Sequence, residues 1–334
     1  MRRVGIIFNP GAGKSSFFRA IGKLLYQTFA ASNYHLITGP GPFGACYMPK
    51  ATQVVSLPNV DLPVAFRTIV KAFVDQGVEL IIGVGGDGTL NFLATYLLEL
   101  RADTVLMGVA GGTANVGPLI RFNAARLQEF DPDKLYTRNL CPLEIRLEQK
   151  LIGYAFVDVV IGDTFLGTFQ GHLETFSASK FLKEGVKQPQ LPSQDLGCFV
   201  IKKGIQRFEV KHIAQIIASP LYYTQFYKGK AITGALCWAP FLGAAAAVVW
   251  TNVPIIAPQI SSNFYPEPVN MGMILVRPEE QVEIRGMAHS ACIIADGNPL
   301  DFLGDKTLTI LTSKRGVRVA GPRPLEEDCY PLGL

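Results

Sequence analysis

Residues 83–91 read GVGGDGTLN, a run of glycines with an aspartate, Asp87, at its tip. Glycine lets backbone amides approach a phosphate closely, and an amide-lined turn before a helix is a common anion site. A carboxylate in the same place repels phosphate. Asp87 therefore either has nothing to do with phosphate, or its charge serves a metal or a proton.

Two further stretches carry the same ambiguity. FNPGAGKSS (8–16) follows an apolar run, opens an amphipathic one and ends in Gly13-Lys14-Ser15. A Walker P-loop requires a glycine where this chain has Phe8. What is left is either a set of amides from Gly11 to Lys14 that meets an anion at a helix N-terminus, or a tight turn whose glycines serve geometry. GVGGDG also matches the dinucleotide fingerprint GxGxxG through Gly83, Gly85 and Gly88. That fingerprint needs an acid about twenty positions on, at the end of the next strand. There the chain runs through VLMGVAGG into a further glycine turn, AGGTANVG (110–117), so a dehydrogenase-type site is not expected.

These turns need rigid elements behind them. The first 120 residues alternate short apolar runs (VGIIF, YHLI, QVVSL, VELIIGVGG, VLMGVAGG) with amphipathic ones (SSFFRAIGKLLYQTF, VAFRTIVKAFVDQ, LNFLATYLLEL). In the second helix Val64, Ile69, Phe73 and Val74 are expected inside, with Lys71 and Asp75 outside. Strands of Val, Ile and Leu alternating with helices imply a parallel sheet covered on both faces. After about residue 130 the texture alternates polar and apolar, as half-buried antiparallel strands do: PLEIRLEQKLIGYAFVDVVIG, VEIRGMAHSACIIADGNPLDF, KTLTILTSKRGVRV. The expected organisation is an α/β, Rossmann-like parallel-sheet domain over 1–128, a β-rich domain over 129–320 and a tail over 321–334. The polar, proline-bearing stretch 180–207 reads as a mobile surface segment.

A chain of 334 residues, 49% hydrophobic and 17% charged, has the makings of substantial ordered cores. A net charge of +4, with scattered Lys and Arg, suits an anionic small molecule and is too mild to imply nucleic acid. Six cysteines without a CxxC pair or metal-ligand spacing fit a reduced, cytoplasmic protein. MRRVGIIFNPG reads as a first strand rather than a signal peptide. AITGALCWAPFLGAAAAVVW (231–250) is long and apolar enough to cross a bilayer, but its small residues, threonine and Pro240 favour a buried helix or helix-plus-strand, without stable membrane insertion.

GGDGT (85–89), the NPxAG turn after the first strand, AGGTANVG and a late Asp296-Gly297 together resemble the superfamily joining NAD kinases with diacylglycerol and sphingosine kinases. The C-terminal half resembles NAD kinases: TGALCW (233–238) their TGSTAY stretch, PIIAPQ (254–259) their apolar-proline turn, and AFVDVVIG (155–162) the segment carrying an Asn-acid pair. Here Val157 stands at the Asn position and Asp158 keeps the acid. LITGPGPFGA (36–45) further resembles the long-chain branch of polyphosphate/ATP-NAD kinases. Lipid kinases place a catalytic Glu directly after the late Asp-Gly; this chain has Asn298, whose amide cannot act as a general base.

The resemblance implies ATP- or polyphosphate-dependent phosphorylation of NAD to NADP, in a site between the two domains. A hydroxyl must be deprotonated there beside a triphosphate, which accounts for a carboxylate within an amide cradle. Asp87 is the implied proton acceptor for the adenosine ribose 2′-hydroxyl. The implied nucleotide contacts are Asn9, Gly11, Gly13, Gly85, Gly86, Gly88, Thr89, Gly112, Thr113, Asn115, Asp158, Thr233, Gly234 and Asp296. Mg²⁺ would be held by nucleotide oxygens and water, with no protein metal ligands, and the chain would form homo-oligomers. Other readings stay open. Asp87 reads equally as a helix N-cap, Thr89 and Asn115 as local turn residues, Asp158 as a solvated strand position, Asp296-Gly297 as a hairpin turn and Thr233-Gly234 as the start of a buried helix. At the level of function, a lipid kinase or a non-catalytic nucleotide sensor remains in play.

Overall fold

The computed structural model describes residues 2–12, 15–30, 34–58, 60–112, 115, 117–169, 172–222, 244–256, 268–286 and 290–322. Gly13, Thr113, Thr233, Gly234, most of the apolar stretch 231–250 and nearly all of the tail lie outside the described residues. The chain divides into two units, 1–140 with 315–334, and 141–314.

The first unit alternates β1 (Arg2–Phe8), α1 (Phe18–Ala30), β2 (Tyr34–Thr38), β3 (Gln53–Val54), α2 (Leu62–Asp75), β4 (Leu80–Gly85), α3 (Asp87–Glu99) and β5 (Val105–Ala110), followed by β6 (Ile120–Phe122) and β7 (Tyr136–Leu140). β2, β1, β4 and β5 are parallel neighbours, as the apolar runs imply. β1 and β4 are buried over five consecutive residues, which requires cover on both faces. On one face Val4, Ile6 and Phe8 join Phe18, Ile21, Leu25 and Phe29 of α1. On the other, Phe73 of α2 lies over Gly5, and Leu93 of α3 over Gly83. In α2 the buried stripe is Ala65, Phe66, Ile69, Val70 and Phe73. Val64 is 49% exposed, so the inward face is rotated from the expected one. Lys71 and Asp75 do face outward, paired at 2.6 Å.

The second unit contains β8 (Leu143–Leu147), β9 (Lys150–Ala155), β10 (Val159–Gly162), β11 (Thr164–Phe169), β12 (His172–Ser177), α4 (Ala178–Glu184), β13 (Phe199–Lys203) and β14 (Gln206–Val210). It continues with β15 (Gln215–Pro220), β16 (Ala246–Thr251), β17 (Met271–Val276), β18 (Gln281–Gly286), β19 (Cys292–Ala295), β20 (Asn298–Phe302) and β21 (Thr307–Thr312). Two six-stranded sheets, ordered β17-β16-β15-β10-β19-β20 and β14-β13-β18-β21-β8-β9, share one apolar core built from Ile145, Ile161, Ile201, Val248, Ile284, Ile293 and their neighbours. The described end of the apolar stretch 231–250 is strand β16, inside this sandwich.

Two features depart from the sequence expectation. The last strand, β22 (Val317–Gly321), is expected in the β-rich domain but leaves it, lying parallel to β5 and antiparallel to β7 in the first unit. Its buried Val317, Val319 and Ala320 complete that sheet. The expected domain limits at 128 and 320 therefore give way to a first unit in two pieces. The stretch 180–207 is not a loose segment either. It carries α4, a bridge between Phe176 and Pro189, the buried Leu196 and the β13–β14 hairpin. Buried Asp163 ties it down, accepting hydrogen bonds from Gln190 Nε2 at 2.8 Å and from the amide and hydroxyl of Ser193.

Candidate functional site

In the first unit, two glycine turns meet at the C-terminal ends of β4 and β5, the usual ligand edge of an open parallel sheet. The Gly111 amide donates to the Gly85 carbonyl at 2.7 Å. A Cβ on Gly112 would lie 2.5 Å from the Gly86 Cα, and one on Gly85 would lie 2.6 Å from the Thr89 hydroxyl oxygen. At Gly112 the obstacle is backbone, and at Gly85 it is the Thr89 side chain.

α3 starts at Asp87, with Gly86 as its N-cap and no side-chain capping bond. The N-cap reading of Asp87 is thus set aside. Its Oδ1 instead accepts the Gly117 amide at 2.8 Å, from the far end of the second glycine turn. The carboxylate stands at the positive end of a thirteen-residue helix, whose first-turn amides have no intrahelical acceptor.

Asn9, at the end of β1, is joined to the same cluster. Its Nδ2 donates to Thr89 Oγ1 at 2.7 Å, and its Oδ1 accepts the Gly11 amide at 2.9 Å. Asn115 turns inward: Oδ1 accepts the Gly112 amide at 2.9 Å, Nδ2 donates to the Gly112 carbonyl at 2.6 Å, and φ is 56°. This is the local turn role anticipated for Asn115. The Gly11 amide, one of those read as able to meet an anion, and the amide of Gly112 each meet an asparagine side chain. Asn9, Gly11, Gly85, Gly86, Asp87, Gly88, Thr89, Gly112 and Asn115 thus come together in one unit. Gly117 escaped notice as a functional residue because an amide donor leaves no mark in a side-chain motif.

In the second unit, Asp296 and Gly297 are the two central residues of the β19–β20 hairpin, with φ of 47° and 76°. Positive φ at both positions is the mark of a type I′ turn. The hairpin reading of this pair holds, and Asp296 does more. Its carboxylate accepts the amides of Phe156 at 2.8 Å, Val157 at 2.8 Å and Asp158 at 2.9 Å. The Asp296 amide in turn donates to the Asp158 carbonyl at 3.0 Å. Asp158 and Asp296, named separately from the sequence, are one structural element. Val157 takes part through its backbone, which any residue supplies. Nearby, burial first, then the charges of Asp296 and Cys141, hold the Tyr222 phenol above the ordinary tyrosine range; its hydroxyl donates to the Cys141 carbonyl at 3.3 Å. Among the described residues, no group of three or more His, Cys, Asp or Glu is placed to hold a metal ion. No described helix is long and apolar enough to cross a membrane.

Residues 3–119, which carry both glycine turns, match the diacylglycerol kinase catalytic domain family. The fold as a whole is similar to that of yeast NADH kinase complexed with NADH, with a TM-score of 0.55 and 13% identity over 98% of this chain and 85% of that one. It is also similar to a diacylglycerol kinase from Bacillus anthracis str. Sterne, with a TM-score of 0.51 and 12% identity over 95% and 96% of the two chains. An uncharacterized protein of Archaeoglobus fulgidus is 25% identical over 306 residues, 89% of this chain and 92% of that protein. The fold as a whole is thus similar to that of an NADH kinase and of a diacylglycerol kinase, and the kinase-family match itself spans residues 3–119. That match falls in the parallel-sheet first unit, and the second unit is antiparallel and β-rich.

Proposed function

We propose that the protein transfers the terminal phosphoryl group of ATP or polyphosphate to the adenosine ribose 2′-hydroxyl of NAD, forming NADP. The observation that carries this reading is the Asp87 carboxylate, held by the Gly117 amide at the N-terminal end of α3, beside a close approach of Gly86 and Gly112 in which a Cβ on Gly112 would lie 2.5 Å from the Gly86 Cα. Phosphate fits the first-turn amides of α3. Asp87 accepts the hydroxyl proton as the ribose oxygen bonds to phosphorus and the bridging phosphorus–oxygen bond to the leaving diphosphate breaks. Mg²⁺, when bound through nucleotide oxygens and water, supplies charge neutralisation on the phosphates. Thr89 faces the donor phosphates, and Asp158, on the turn gripped by Asp296, faces the dinucleotide. Gly13, Thr113, Thr233 and Gly234 complete the proposed nucleotide contacts. The likeness to yeast NADH kinase and the absence of a Glu at position 298 support a dinucleotide acceptor.

One observation favours a second reading, a lipid hydroxyl as acceptor: the family matched by residues 3–119 is that of diacylglycerol kinases. That match covers the part of the chain carrying the glycine turns and stops before Asp158, Asp296 and Asn298. The two readings share Asp87 and differ in the acceptor. Purified protein supplied with ATP, Mg²⁺ and either NAD or diacylglycerol separates them, with Asp87→Asn as control. NADP formed by the parent and lost in the variant is the expected result. Phosphatidic acid without NADP would overturn the dinucleotide reading, and neither product, with ATP still bound, would leave a nucleotide sensor.

A further inference from the structure

Thr89 is 4% exposed, and its hydroxyl oxygen accepts the Nδ2 proton of Asn9 at 2.7 Å. The orientation of the Asn9 amide follows from its other partner. The Gly11 amide is a donor, so the Asn9 atom facing it at 2.9 Å is the oxygen, and the atom facing Thr89 is the nitrogen. A hydroxyl that accepts from Asn9 must direct its own proton elsewhere, and among the described residues none accepts it. A buried donor without an acceptor is costly, and such a group in a native protein points to a ligand. This one lies in the first turn of α3, two residues after Asp87, where the helix favours an anion.

We propose that Asn9 is a positioning residue that acts through Thr89: by donating to Oγ1, it fixes the Thr89 hydroxyl as a hydrogen-bond donor to a phosphate oxygen of the nucleotide bound at the α3 N-terminus. This rests on the phosphate-binding part of the function proposed above and assigns Asn9 a role without contact to the nucleotide. The Asn9–Gly11 turn and the Asn9–Thr89 bond are thus one device, linking the end of β1 to the polarity of a single hydroxyl in α3.

The test is a double-mutant cycle on MgATP binding, measured calorimetrically without acceptor, on the full chain. Thr89→Val removes the hydroxyl at nearly constant volume and is expected to weaken MgATP about tenfold, as loss of a hydrogen bond to a charged group does. Asn9→Ala is expected to weaken it by a similar factor in the parent and by less than twofold in the Thr89→Val background. Thr89→Ser keeps the hydroxyl and is expected to bind within about threefold of the parent while responding to Asn9→Ala as the parent does. Asn9→Asp, which still accepts the Gly11 amide but must accept from Thr89 as well, is expected to lower affinity at least as much as Asn9→Ala. An Asn9→Ala effect of equal size with and without the Thr89 hydroxyl would overturn the inference, because Asn9 would then touch the nucleotide itself. Parent protein that binds no MgATP would overturn this inference together with the ATP-dependent form of the proposed function. Thermal unfolding of each variant separates affinity lost at the site from a chain that no longer folds.

Discussion

The Asp87 carboxylate accepts the backbone amide of Gly117 at 2.8 Å, across thirty residues of chain. The bond joins the first residue of α3 to the end of the AGGTANVG turn, and Gly117 is buried. Asparagine keeps an oxygen for that amide, whereas alanine leaves a buried donor unpaired. Asp87→Asn is therefore expected to unfold within about 2 °C of the parent, and Asp87→Ala to lose about 1–3 kcal/mol, read by thermal and urea denaturation. If Asp87 accepts the substrate proton, both variants lose turnover by about 10²–10⁴-fold, so loss of activity and loss of stability part company in Asp87→Asn.

Gly112→Ala drives a Cβ to 2.5 Å from the Gly86 Cα, and backbone gives way less easily than a side chain. The reciprocal Gly86→Ala places its Cβ 3.2 Å from Gly112 Cα, a contact relieved by a small shift. Gly112→Ala is expected to be the more damaging, by about 1–3 kcal/mol of stability together with weakened nucleotide binding. Equal unfolding midpoints for the two variants would refute this ranking.

Asp296→Asn replaces one of two oxygens that together accept three amides. An NH₂ group must then face an N–H donor, at a cost of about 1–3 kcal/mol. Gly297→Ala acts on the same hairpin by a different route, since φ of 76° strains any side chain by about 1–2 kcal/mol. The second variant leaves the grip on residues 156–158 intact. If Asp158 meets the dinucleotide, KM for NAD rises in Asp296→Asn and stays near the parent value in Gly297→Ala.

Asp163→Ala removes the acceptor shared by Gln190 and Ser193. The expected outcome is faster limited proteolysis between residues 188 and 195, with cleavage elsewhere unchanged. Unaltered digestion would show that backbone pairing of Gln188 and Gln190 with β12 suffices to hold the stretch.

Burial, above all, pushes the Cys292 thiol up to about 12, with Asp163 adding to the rise. The unfolded thiol ionises near its ordinary value of about 8.5. Between these values the unfolded chain has lost a proton that the native chain keeps, so stability falls as pH rises, by at most about 1.4 kcal/mol per unit for this group. The contribution is fully present below the unfolded value. Cys292→Ala is expected to flatten that part of the pH profile, and in the native protein exposed Cys46 and Cys198 react with a thiol reagent at pH 8 well before Cys292.

The alternation of apolar runs with amphipathic ones made the parallel sheet legible, because strands covered on both faces must be apolar throughout. The α2 face was misjudged by a fraction of a turn: Val64 and Ala65 are both apolar, and only the packing against β1 and α3 selects between them. The stretch 180–207 looked loose because its anchor, Asp163, lies outside it in sequence and contributes a single carboxylate.

The glycine turns, the acid among them and the late Asp-Gly were set by sequence alone, since positive φ, close backbone approach and a charged tip each demand particular residue types. The partners of those residues were settled only in three dimensions. That Asp87 meets the Gly117 amide and that Asp296 grips residues 156–158 depend on backbone groups, which every residue possesses, and the side chains of Asn9 and Thr89 meet from positions 80 residues apart. The return of β22 to the first sheet was equally silent: a buried alternating strand carries no label for the sheet it joins, and the open place between β5 and β7 decided it.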